Sequence, residues 1–243
     1  MGKVIAIWGN PNSGKSTLAI KLTQYIYQYK NAVVLLLSCD NTTPTIPVWF
    51  PMKHKEELFS VGLPLSKTEI TEDEVLKNII TGNGKMNLGF LGYKDGENKY
   101  SYPEYDYQKA TDFISVLKGL CDVLIVDCTS NLDNLLSATG IEKADTIIRL
   151  VTPDFKSVSF YASQLSLFAD PKYQINNHLI IQNSMENELF MPLAESASYF
   201  DNIAHWIPYC KEVKKQSING ELIHKVHDKK YNSIIKAIAD KVV

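Results

Sequence analysis

Short apolar runs recur along the chain at fairly even intervals. Val4–Trp8, Ala32–Leu37, Met86–Tyr93, Val123–Val126, Thr146–Val151, His178–Ile181 and Ile203–Ile207 are rich in β-branched and long aliphatic side chains. They lack the alternation of a half-solvated strand, so each is expected to be a strand covered on both faces. Helical patterns fall between them. Gly14–Tyr29 is the first. Thr71–Ile80 opens with Thr71 and Glu74 at capping-box spacing. Tyr105–Leu120 places Phe113, Val116, Leu117 and Leu120 on one face. Phe155–Phe168 and Asn232–Val242 complete the set. Strands alternating with helices predict an α/β fold of three layers, a doubly wound, mostly parallel sheet flanked by helices.

Three stretches carry a different pattern. Asp40–Lys67 holds Pro44, Pro47, Pro51 and Pro64 and is expected to wrap the surface with one short helix. Residues 91–107 hold five tyrosines around KDGEN, where Asp95-Gly96 signals a tight turn. Tyrosine is amphipathic, so rings lying on the body are expected there, with a partner surface as the alternative. The tail YNSIIKAIADKVV aligns Ile234, Ile235, Ile238 and Val242. It has few bulky aromatics and modest positive charge, so a helix closing the core is expected rather than one lying on a membrane.

Composition narrows the class. The chain has 243 residues, 45% hydrophobic and 21% charged, which suits one globular domain spanning 1–243. The net charge of −2 gives no bulk reason to expect nucleic-acid binding. A cluster of Lys211, Lys214, Lys215, Lys225, Lys229 and Lys230 leaves DNA as an open partner, although such faces are usually just solvated. The 25 basic residues include one arginine, Arg149, in an apolar run. Cys39, Cys121, Cys128 and Cys210 show no C-x-x-C spacing and are expected to be reduced and near the core. His224-x-x-His227 lacks nearby acidic or cysteine partners and reads as surface rather than zinc. No leader pattern opens the chain and no apolar run reaches about 18 residues, so a cytoplasmic protein is the default expectation.

The chemistry centres on Gly9-Asn10-Pro11-Asn12-Ser13-Gly14-Lys15-Ser16, which matches G-x-x-x-x-G-K-[ST] between a strand and a helix. Glycines let the backbone curl so that N–H groups point inward, and the helix N-terminus favours anions. Lys15 is placed to reach β- and γ-phosphates, Ser16 to offer a hydroxyl to Mg²⁺, and Thr17 to contact the α-phosphate. Asp127, ending the Val123–Val126 strand, is the expected second Mg²⁺ ligand, at the strand edge where ligands bind in open α/β sheets. Asp40 follows another strand end. It would orient water or bond the metal shell, or would form an Asx-turn before Thr42–Pro44.

The loop itself resembles that of translation-factor-type GTPases from Gly9 to Leu18. Guanine recognition would then need Asn-Lys-x-Asp, but Asn183-Ser184-Met185-Glu186 lacks both Lys and Asp. Asp127 is likewise not followed by x-x-Gly. GTP is therefore disfavoured. A kinase lid rich in arginine is disfavoured by the single Arg149.

Ordered pieces along nearly the whole chain resemble the MinD/ParA-type ATPases instead. They are the Gly9–Thr17 loop, LLSCDNTTPT, MNLGFLGY, LKGLCDVLIVDCTSN, KADTIIRLVTPDFKSVSFYASQL, NNHLIIQNSMEN and IAHWIPYCKEVKKQSINGELI. The resemblance implies bound ATP or ADP with Mg²⁺, an ATP-dependent homodimer with a protein partner, and a role in positioning or segregating cellular machinery or DNA. It assigns adenine reading to Asn183 and base packing to Pro208. The branch that places pili and secretion machinery at cell poles looks nearest. One departure matters: the family's lysine that acts across the dimer would stand at Asn10. Asn10 carries no charge, so hydrolysis is expected to be slow or to need a partner. A nucleotide-bound scaffold without turnover is the alternative.

Overall fold

The computed structural model describes residues 2–82, 85–188, 191–200 and 202–243. Eight strands form one sheet among the described residues: β1 (Lys3–Gly9), β2 (Val34–Ser38), β3 (Ile80–Gly82), β4 (Lys85–Leu91), β5 (Val123–Asp127), β6 (Thr146–Val151), β7 (Leu179–Asn183) and β8 (His205–Ile207). Their order is β3-β4-β2-β5-β1-β6-β7-β8, and every pairing is parallel except β3 with β4. The helices are α1 (Lys15–Tyr29), α2 (Ile46–Trp49), α3 (Gly62–Leu65), α4 (Glu72–Leu76), α5 (Tyr107–Leu120), α6 (Leu135–Glu142), α7 (Phe155–Gln164), α8 (Leu193–Ala197), α9 (Lys211–Asn219) and α10 (Lys229–Val242).

The two-residue period of a strand divides β1 between two cores. Ile5 and Ile7 pack with α1 and α10 residues such as Leu22, Ile26, Ile235 and Ile238. Val4, Ala6 and Trp8 pack with Phe113 and Leu117 of α5, Leu136 of α6 and Tyr161 of α7. A strand with apolar neighbours on both sides needs no polar face, which is why its sequence reads as a continuous apolar run. The expected three-layer architecture is thus observed. The parallel strands bring Gly9, Ser38, Asp127, Val151, Asn183 and Ile207 to one edge of the sheet.

The boundaries shift in places. Thr71 caps α4 by accepting from the Glu74 amide at 3.3 Å, but the helix stops at Leu76 rather than Ile80. Asn78 bonds back to the Glu74 carbonyl, and Ile80 joins β3 against Phe90 of β4. The segment expected to hold one short helix holds α2, α3 and a 3₁₀ turn at Lys55–Glu57. α6, α8, α9 and β3 have no counterpart in the sequence reading. α6 (LLSATGIE) is too evenly apolar to show a stripe, and α9 (KEVKKQSIN) buries little besides Val213 and Gln216.

α10 buries Tyr231, Ile235, Ile238, Ala239 and Val242 against the core, so it closes the sheet's outer layer. Among the described residues, no helix is long and apolar enough to cross a membrane. In the tyrosine-rich segment, Gly96 takes the left-handed conformation (φ 79°) and Tyr93 is buried, whereas Tyr100 is exposed. Glu97 organises this segment by accepting from Ser60 Oγ (2.5 Å), Tyr102 Oη (2.6 Å) and the Lys94 amide (2.8 Å). All four cysteines are free and buried.

Candidate functional site

The loop between β1 and α1 is shaped by its two glycines. A Cβ on Gly9 would lie 2.3 Å from the Leu150 carbonyl oxygen of β6. Gly14 adopts φ 88° as the residue before α1, and a Cβ there would lie 2.6 Å from Asn183 Nδ2. Asn12 also takes a left-handed conformation, φ 59°. Asp or Asn side chains cap α5, α6, α7 and α10 by accepting a backbone N–H. α1 has no such cap and no acidic residue in its first turn. Its first amides and dipole therefore stay available to an anion.

Lys15 folds over this loop. Its Nζ donates to the carbonyls of Gly9 (3.2 Å) and Asn10 (2.9 Å) and to Ser130 Oγ (2.7 Å). Ser130 in turn donates to the Gly9 carbonyl at 2.8 Å. Burial lowers the Lys15 pKa, and Asp127, Cys128 and Asp40 oppose that shift. Asp127, one strand over, is almost fully buried, and burial raises its pKa to about 7 against the pull of the Ser16 hydroxyl and Lys15. Its Oδ1 is buried and has no hydrogen-bond partner. An orphaned carboxylate oxygen beside an alcohol is the kind of oxygen donor set that Mg²⁺ takes, so Ser16 and Asp127 fit the ion. Asp40 lies on the same cleft, and its Oδ1 accepts from the Thr42 and Thr43 amides, each at 2.8 Å. The Asx-turn is therefore present, and it aims no positive charge into the cleft.

Two cavities meet at this loop. One, about 520 Å³, is lined by Pro11, Asn12, Ser13, Lys15, Ser16, Asp40, Asp127 and Thr129 among others. The second, about 200 Å³, lies between the ends of β7 and β8 and α9, with Asn183, Pro208, Tyr209, Val213 and Ile218 on its walls. Gly14, Thr17 and Met185 line both. Asn183 donates through Nδ2 to the Ser13 carbonyl (2.8 Å) and to Met185 Sδ (3.0 Å). Both bonds use Nδ2, and Oδ1 is the acceptor atom of this cavity-lining residue.

Asn10 behaves differently from its loop neighbours. Its side chain is buried, donating to Thr152 Oγ1 at 3.0 Å and accepting from Ser157 Oγ at 3.1 Å. It fastens the loop to the β6–α7 connection, while its backbone carbonyl receives Lys15. Arg149 is buried in β6 and bonds to the Ile175 carbonyl at 3.0 Å and to the ring of His178. His227 pairs with Glu212 at 2.9 Å, and no metal-binding cluster of His, Cys, Asp and Glu exists among the described residues.

The structure thus gathers Gly9, Asn12, Ser13, Gly14, Lys15, Ser16, Thr17, Asp40 and Asp127 around one cleft and places Asn183 and Pro208 on the adjoining cavity. Ser130 and Met185 were missed from sequence. Ser130 lies three residues beyond Asp127, and only the fold brings it to Lys15. Met185 sits within the Asn183–Glu186 stretch, and only the fold sets its sulfur against Gly14.

No protein-family model matches the sequence, and no curated protein sequence matches it. Solved structures do match. The septum site-determining protein MinD of Pyrococcus horikoshii OT3, complexed with Mg-ADP, superposes with a TM-score of 0.75 at 18% identity, covering 100% of this chain and 96% of that one. A ParA family ATPase from Chlorobium tepidum TLS gives 0.76 at 17%, covering 99% and 98%. A plasmid partition protein (described as putative) from Borrelia burgdorferi B31, bound to AMPPNP, gives 0.72 at 18% over all of both chains. At full coverage and low identity these likenesses establish architecture: this chain has the fold of the MinD- and ParA-type P-loop ATPases.

Proposed function

We propose that this protein binds ATP and ADP with Mg²⁺ and acts as a slowly hydrolysing, MinD/ParA-like switch in the positioning or segregation of cellular machinery or DNA. The observation that carries this reading is the adjacency of the two cavities, which share Gly14, Thr17 and Met185 as lining residues. One has the loop, lysine and carboxylate of a phosphate site. The other is a largely apolar slot with the Asn183 side chain among its lining residues, suited to a base. An Asn183 Oδ1 acceptor attracts the amino group of adenine and repels the carbonyl oxygen of guanine. The MinD, ParA and plasmid partition structures that share this fold support the biological direction.

Slow turnover follows from charge. Among the described residues lining the phosphate cleft, Lys15 is the only cation. Transfer of a phosphoryl group builds charge that a second cation would stabilise. Asn10 supplies none and is held inward by Thr152 and Ser157. Bound Mg²⁺, held by Ser16 and Asp127, would add its own charge to the phosphate oxygens. Water orientation is assigned to Asp40, which lines the cleft and keeps Oδ2 outside its turn. Phosphate release separates a slow enzyme from a nucleotide-bound scaffold: steady release that falls in Asp40→Ala supports the enzyme, and saturable ATP binding with no release supports the scaffold. Transfer of labelled γ-phosphate to a metabolite would instead indicate a kinase. A dimer formed around ATP, and a protein partner that reads it, belong to the same proposal.

A further inference from the structure

Lys21 lies on α1, one helical turn beyond Thr17, and is only 4% exposed. Its Nζ donates to Gln216 Oε1 (2.6 Å), the Leu222 carbonyl (2.5 Å) and the His224 carbonyl (2.8 Å), with a longer contact to Gln24 Oε1 (3.5 Å). Gln24 donates to the intervening Ile223 carbonyl. Gln216 donates onward to the Lys225 carbonyl at 3.0 Å. An ammonium has three protons, and three short acceptors from one continuous segment receive them. All three acceptors are neutral. A buried cation on neutral partners is a poor source of stability compared with an apolar side chain of the same length. What it does supply is geometry.

That geometry points at the base cavity. Gly14, Thr17 and Leu18 of the loop and α1 form one wall, and Val213, Lys214, Ser217 and Ile218 of α9 form the facing wall. Gln216 belongs to the same helix as the second wall, and Leu222 and His224 to the segment that follows it. We propose that Lys21 is a positioning residue that clamps α9 to α1 and so sets the spacing of the base cavity. The proposal rests on the nucleotide reading only for the identity of what enters that cavity. It predicts that Lys21 governs recognition of the base without touching the phosphate cleft.

The test uses the full chain and two readouts. In Lys21→Met, amide exchange across 211–226 should quicken about tenfold or more, since buried acceptors lose their donor, while β1, β5 and α5 keep wild-type protection. By calorimetry with Mg²⁺, ATP affinity should fall about tenfold, while affinity for inorganic tripolyphosphate stays unchanged. Uniform loss of protection, unchanged protection in 211–226, or parallel loss of ATP and tripolyphosphate would each overturn the clamp. If Lys21→Met does not fold, Gln216→Leu removes one arm of the clamp and should show the same pattern at smaller size. Wild-type protein that binds no ATP would refute the nucleotide reading, and the exchange measurement would still decide the clamp.

Discussion

Gly14, which lines both cavities, meets Asn183, and each constrains the other. Any side chain on Gly14 would meet the Asn183 amide and Met185 Sδ in a backbone conformation that L-residues rarely adopt. Gly14→Ala should therefore lose about 1–3 kcal/mol in denaturant unfolding, a cost for which space alone does not account. Asn183→Ala tests recognition. It removes the acceptor proposed for the adenine amino group and the hydrogen bond to the Ser13 carbonyl. Competition titrations should show ATP affinity falling about tenfold or more, with the preference for ATP over GTP lost. A preserved preference would assign base reading to other groups. Ser130 shows why such residues are hard to see in advance. Its hydroxyl joins Lys15 to Gly9 across the sheet, a contact of 115 residues' separation that no local pattern announces.

Elements that combine local pattern with burial were legible from sequence, and those that rely on distant partners were not. β1, α1 and β5 carry their own signals: a continuous apolar run, a glycine-flanked loop, an acid at a strand end. α9 is mostly polar because its buried contacts are few and one of them is Gln216 bonded to Lys21. α10 reads clearly, since its isoleucines recur on one stripe. Ile238→Ala should cost about 2–5 kcal/mol of unfolding free energy, because Ile238 is fully buried. A helix resting on a membrane surface would tolerate that change in solution. The β6–β7 layer carries a pH dependence. Burial holds His178 neutral, lowering its pKa from 6.5 to about 4, with the Tyr173 carbonyl opposing and Arg149 reinforcing the shift. The unfolded chain binds this proton first as pH falls, so the stability contribution is full above pH 6.5 and is lost toward pH 4. Unfolding midpoints between pH 4.5 and 7 should rise more steeply for wild type than for His178→Gln. Equal slopes would assign the dependence to other groups.

At the scale of the molecule, the sheet gathers the Gly9–Ser16 loop, Asp40, Asp127 and the adjoining cavity on one edge, while the opposite edge carries none of them. That arrangement was readable from sequence because each strand end is marked locally. The role of Asn10 was only half readable. Its lack of charge is plain in the sequence, but its burial against Thr152 and Ser157 needed the fold. An ATP-bound dimer, if it forms, must then close without a cation from this position. Sedimentation with a non-hydrolysable ATP analogue should show a monomer converting to a dimer, and a monomer at all concentrations would contradict the switch. The central claim is that the loop holds ATP through Lys15 beside a base cavity. Titration of a fluorescent ATP analogue with Mg²⁺ against wild type and Lys15→Ala tests it most directly. The account predicts saturable binding to wild type, displaced by ATP better than by GTP, and affinity at least about tenfold weaker in Lys15→Ala. Equal affinity in the two proteins would contradict it.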